Sequence, residues 1–190
     1  MKRSKVWAGG LILGIAIAAS VGAYAQDQLP PPSPIEKQLA ARANHVTEVT
    51  LDKTMLAFAA KFMKDEDDAE ARQMIQNLKG VYVREYEFDN DHSYTADELD
   101  GLRKYMQGTD WTPMVRERSK GDGEQTDVYV KVVNGQMQGL YVLDAEAREL
   151  SLVLIIGPIN VDEIGKLGGT FGIPKHAIKS VKKAEKEVTK

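Results

Sequence analysis

Apolar and polar residues alternate most regularly between Thr126 and Gly157. Val128, Val130 and Val132 share one face of an extended segment, and Tyr129, Lys131 and Val133 share the other. That is the period of two of a half-buried strand. Asn134-Gly135 follows at once and predicts a type I′ hairpin, because that turn requires positive φ at both central residues. A return strand is expected over Met137–Leu143, a polar turn over Asp144–Arg148, and a third strand over Leu150–Ile156. The last run, LSLVLII, is apolar on both faces and belongs in the middle of a sheet covered on each side.

Upstream the period changes several times. His45–Leu51 alternates as a strand, with Val46, Glu48 and Thr50 on one side. Met55, Leu56, Ala59, Phe62 and Met63 lie at helical spacing within Thr54–Met63. A second helix is expected over Ala69–Leu78, stopped by Gly80, and then a strand over Val81–Phe88. In that strand Val81, Val83, Glu85 and Glu87 oppose Tyr82, Arg84, Tyr86 and Phe88. Thr95 and Glu98 fit a capping box, and Tyr94 and Leu99 fit its hydrophobic staple. The helix they open carries an apolar stripe of Leu99, Leu102, Tyr105 and Met106. Trp111–Arg118 reads as a strand that reaches the three-strand unit through the glycine-rich loop Ser119–Gln125. Beyond Gly157-Pro158, Asn160 is a second N-cap with Glu163 three residues on, and Ile164 and Leu167 point inward from a short helix.

This order of elements predicts an α+β fold: a mostly antiparallel sheet of about five or six strands, with helices packed mainly on one face. It allows a parallel pairing of Val46–Leu51 with Val81–Phe88 through a helical crossover.

The ends of the chain alter the picture. Lys2, Arg3 and Lys5 precede an apolar run, Val6–Val21, and Ala23-Tyr24-Ala25 is a signal-peptidase pattern. Residues 1–25 therefore read as a signal peptide, and the mature chain as periplasmic or secreted. The chain after cleavage has no second run long enough to span a bilayer. Residues 26–45 form a proline-rich spacer with a short helix at Ile35–Ala43, residues 46–172 a single domain, and residues 173–190 a lysine-rich tail. Cleavage leaves 22 Lys and Arg against 28 Asp and Glu, a net charge of −6. Nucleic acid is a poor partner for such a chain, since that binding begins with a basic footprint. There is no cysteine, so lipid attachment through cysteine and disulfides are both excluded.

Candidate chemistry is sparse. Counting from Asp89, oxygen donors fall at calcium-loop positions in Asp89, Asp91, Ser93, Asp97 and Asp100. Tyr94 replaces the glycine expected at position six, and Asp100 replaces the closing glutamate. A polar strand-to-helix turn with a capping box explains the same residues without a metal. Asp65–Asp68 reads as negative charge in the first turn of a helix. Gly165–Gly169 lies at a helix end, the wrong end for a phosphate. His45, His92 and His176 fit no zinc spacing, and no nucleophile motif is present. Trp111, Tyr82, Tyr86, Tyr129 and Tyr141 read either as packing partners under helices or as the lining of a groove. No catalytic residue and no cofactor is indicated.

Several stretches together resemble the bacterial family called domain of unknown function 4252. They are HVTEVTLDKTMLAFAAKFM, LKGVYVREYEFD, MVRERSKGDGEQTDVYVKVVNGQMQGLYVL and ELSLVLIIGPINVDEIGKLGG, which cover about Val46–Gly172. The resemblance implies an exported envelope protein and carries no catalytic residues. The expected function is a non-enzymatic binding or protein-interaction module with an envelope protein as partner. The alternatives are a small-molecule or calcium-binding protein, or a hydrolase whose carboxylates are assembled only by the fold.

Overall fold

A computed structural model of the chain describes residues 31–63, 69–107, 110–121 and 123–160. The signal segment, the Asp65–Asp68 run, the Asn160 helix with Gly165–Gly169, and the lysine-rich tail all lie outside the described residues, apart from Asn160 itself. The elements are α1 (Pro34–Arg42), β1 (His45–Asp52), α2 (Lys53–Ala59) continued by a 3-10 turn (Ala60–Phe62), α3 (Ala69–Asn77), β2 (Gly80–Glu87), α4 (Ala96–Gln107), β3 (Trp111–Arg118), β4 (Gln125–Val133), β5 (Gln136–Ala145) and β6 (Glu149–Ile156).

The six strands form one sheet in the order β1-β2-β6-β5-β4-β3. Every neighbouring pair is antiparallel. The apolar strand β6 sits inside the sheet, between β2 and β5, as its two-faced pattern requires. Asn134 and Gly135 have φ of 52° and 76°, the two positive values that the β4–β5 hairpin needs.

Two expectations are corrected. The crossover between β1 and β2 yields an antiparallel pair, with His45 opposite Glu87 and Asp52 opposite Gly80. α2 starts at the residue after β1, and α3 returns the chain to the same end of the sheet, so β2 runs back beside β1. Helices also cover both faces, not mainly one. Leu56, Ala60, Met74, Ile75 and Leu78, from α2 through the end of α3, pack on one face against Val81, Val83, Val128, Val142, Val153 and Ile155. Leu39 of α1 and Leu99, Leu102 and Met106 of α4 pack on the other, against Tyr82, Tyr86, Tyr129, Tyr141, Leu143, Leu150, Leu152 and Leu154. An interior strand with apolar residues on both sides demands a cover on both sides.

The caps follow the sequence. Thr95 N–H donates to Glu98 Oε2 at 2.8 Å and Glu98 N–H to Thr95 Oγ1 at 3.2 Å. Tyr94 and Leu99 are both buried beside this box. α1 carries a second capping box between Ser33 and Glu36, with Pro34 at its first position. An Arg42–Glu98 ion pair at 2.8 Å links α1 to α4, so the spacer helix is packed into the fold.

Candidate functional surfaces

Cross-strand partners in an antiparallel sheet share a face, so the register can be read as rows. On the α2–α3 face one row consists of valines across all six strands: Val49, Val83, Val153, Val142, Val128 and Val115. Two residues farther along each strand the row turns polar: Thr47, Glu85, Ser151, Asp144, Thr126 and Glu117. His45, Glu87 and Glu149 follow in register beyond it. Thr126 Oγ1 donates to Asp144 Oδ1 at 2.8 Å, both side chains being buried. Ser151 Oγ donates to Glu149 Oε1 at 3.0 Å. Burial raises the Glu85 pKa, and the Glu149 carboxylate beside it raises it further by like charge and by hydrogen bonding to the protonated form. Glu87 adds to the rise and His45 opposes it. The valines two places away hold this row close to the core.

The opposite face is built on tyrosines and arginines. Asp127 is 1% exposed and receives three guanidinium groups. Arg103 Nε on α4 reaches Oδ2 at 2.7 Å, Arg116 Nε reaches Oδ1 at 3.1 Å, and Arg118 Nη2 reaches Oδ1 at 2.8 Å and Oδ2 at 2.9 Å. Arg103 also donates to Asp100 at 2.7 Å and Gln125 at 2.8 Å. Burial alone would lower its pKa, yet the Asp127 and Asp100 carboxylates hold it above its ordinary value. The cluster locks α4 onto the β3–β4 edge. The Tyr129 hydroxyl is buried without a hydrogen bond of regular geometry among the described residues. The Arg116 guanidinium lies beside it, outside that geometry.

Farther along the same face, Glu36 of α1 pairs with Arg84 of β2. They border a cavity of about 40 Å³ whose other polar walls include Ser33, Tyr82 and Tyr141. Burial pushes the Tyr141 hydroxyl far up, and the nearby Glu36 carboxylate adds to the effect. A space of that size holds water, whereas a site for a drug-sized molecule needs ~300 Å³ or more. Tyr82, Tyr86, Tyr129 and Tyr141 pack beneath α1 and α4 with Leu39, Leu99, Leu102 and Met106.

A third surface is apolar and open. Met55, Phe58 and Phe62 are 49%, 55% and 68% exposed, on α2 and the 3-10 turn. The two phenyl rings meet edge to face with centroids 4.9 Å apart. Asp52 Oδ1 caps α2 through the Met55 N–H at 2.8 Å. Lys53 and Lys61 are exposed at either end of the patch. Leu56 and Ala60 hold the other side of this segment in the core.

Three of the five residues read as a calcium loop are drawn to different neighbours. Asp91 pairs with Arg148 at 2.5 Å, a bond that lowers its pKa. Asp100 pairs with Arg103, and Ser93 Oγ donates to the Asn90 carbonyl at 2.9 Å. Asp97 lies in the first turn of α4, and Asp89 is exposed. Among the described residues no group of three or more His, Asp or Glu is arranged to hold a metal ion. The arginine cluster and the polar row escaped the sequence reading. A weak signal for the row existed in the alternation, which already placed Glu85 and Glu87 on the valine face.

The architecture is that of a single-sheet α+β protein with helices on both faces, and its described residues include a polar row, a buried arginine-ringed aspartate and an exposed aromatic patch. Residues 41–167 match the family model of Domain of unknown function (DUF4252), and the chain belongs to that family. None of the curated proteins compared with the chain matches it.

Proposed function

We propose that the protein is an exported envelope component that works as a non-enzymatic protein-interaction module. The observation that carries this reading is the Met55, Phe58 and Phe62 patch. Large hydrophobic side chains grouped at the surface, aromatic and methionine above all, are what protein-contact surfaces are enriched in. Two rings packed edge to face but left half open to water keep the cost of exposure without the benefit of burial, and a partner surface with an apolar pocket would relieve it. The signal-like segment at Lys2–Ala25 supports export, and an envelope protein is the partner it brings within reach.

The test is a photo-cross-linking residue at position 58 of the full chain, expressed in cells that export it. The expected result is one stoichiometric adduct with another protein, lost in the Phe62→Ser background. Adducts with many proteins, with this chain alone, or with none would overturn the proposal.

A further inference from the structure

The two edges of the sheet are unlike. At one, β3 is interrupted: Pro113 has no N–H, the register shifts between Pro113 and Val115, and Arg116, Glu117 and Arg118 fill its end. Proline, a bulge and charge are the devices that keep an edge strand from pairing with another chain. At the other, the eight residues of β1 hold one unbroken register with β2, with no proline, lysine or arginine among them. Among the described residues β1 pairs with β2 alone.

The free backbone groups of β1 follow from the ladder. Antiparallel residues turn their N–H and C=O to alternate neighbours along a strand. Gly157 N–H donates to the Gln138 carbonyl of β5 at 3.0 Å, whereas the Ile156 carbonyl accepts from Lys79 at 2.7 Å, on the β2 side. Carried through the unbroken β6–β2 and β2–β1 registers, the alternation turns Val81, Val83 and Glu85 toward β1. It leaves the N–H and C=O of Val46, Glu48 and Thr50 on the open side. The Glu87 carbonyl, accepting from Asn44 N–H at 2.8 Å, agrees.

We propose that β1 is a docking edge for an extended segment of the envelope partner, which adds a seventh strand to the sheet and sets a basic side chain opposite Glu48. This edge docking rests on the protein-interaction reading of the neighbouring patch. α2 begins directly after β1 and packs against it, so Met55, Phe58 and Phe62 stand on the element beside the edge. Val49 and Leu51 are half-buried on the face of the α2–α3 cluster and give an incoming strand an apolar margin. On the other face Glu48 is exposed, and Arg84, opposite it in register, pairs with Glu36. The edge carries Glu48 and Asp52 as its only full charges, so a second copy of it repels and a basic segment complements it.

Photo-cross-linking residues at positions 48 and 50 of the full chain, in cells that export it, test this beside the position-58 probe. They should capture the protein captured from position 58, and the linked partner residues should shift by about two along one segment, as a strand requires. Glu48→Pro removes only an outward N–H, which an edge tolerates. It should lower the position-58 adduct about tenfold, and Glu48→Gln, which keeps the N–H, about threefold. Adducts from position 58 with none from 48 or 50 would overturn the edge docking and leave the interaction reading standing, whereas adducts from none of the three would overturn both. An undiminished position-58 adduct in Glu48→Pro, or links from 48 and 50 to a second copy of this chain, would also overturn it.

Discussion

Asp127 carries more electrostatic weight than any other single residue of the described fold. Its carboxylate balances Arg103, itself 9% exposed, together with two partly solvated arginines. Removing one member of a buried ion cluster leaves the others desolvated and uncompensated, which costs about 3–5 kcal/mol. Asp127→Ala should therefore lower unfolding stability by about 3 kcal/mol in urea denaturation, most of it traced to Arg103. Glu85 works in the opposite sense. Its pKa is raised in the folded state, so its contribution is fully present below the ordinary glutamate pKa and is lost as pH rises through the folded value. Glu85→Gln is expected to raise the melting temperature at pH 7–8, and that gain should vanish near pH 4, below about 4.3. A Glu85→Gln melting curve unchanged at neutral pH would show that the row is too well solvated to matter.

At the scale of elements, the junction between β6 and the end of α3 brings backbone against backbone. Gly157 has φ of 128°, and a Cβ built there would lie 2.8 Å from the Leu78 Cα and 2.9 Å from the Lys79 nitrogen. The conformation is strained for any L side chain, and the obstructing atoms are backbone. Gly157→Ala should destabilise by more than about 1 kcal/mol and should speed amide exchange at Lys79, whose N–H donates to the Ile156 carbonyl at 2.7 Å. That hydrogen bond ties the turn between α3 and β2 to the end of β6.

For the molecule as a whole, the aromatic patch separates stability from interaction. Phe58 and Phe62 are more than half exposed, so Phe58→Ser/Phe62→Ser should change unfolding stability by less than about 0.5 kcal/mol per site. The same double variant should reduce binding of a hydrophobic dye, as Phe62→Ser alone should remove the adduct formed from position 58. Loss of stability together with loss of binding would mean that the rings belong to the core. The arginine cluster on the opposite face gives the control, since Asp127→Ala should cost stability and leave the patch in place.

Local order was legible from the chain alone. Asn134-Gly135 specified its turn, Thr95-x-x-Glu98 its cap, and the two-residue period of Val128–Val133 its strand, because each depends on neighbours within a few residues. The unbroken apolar run Leu150–Ile156 even announced an interior strand. The direction of β2 beside β1, the division of helices between the two faces and the convergence of Arg103, Arg116 and Arg118 on Asp127 were decided only by tertiary structure. Those relations join residues many positions apart, and cross-strand register, which sequence period does not encode, determines which side chains meet. The same register lined Glu117, Asp144, Ser151 and Glu85 into one row. A single alternating strand shows which face a residue takes, and only the assembled sheet shows what stands beside it.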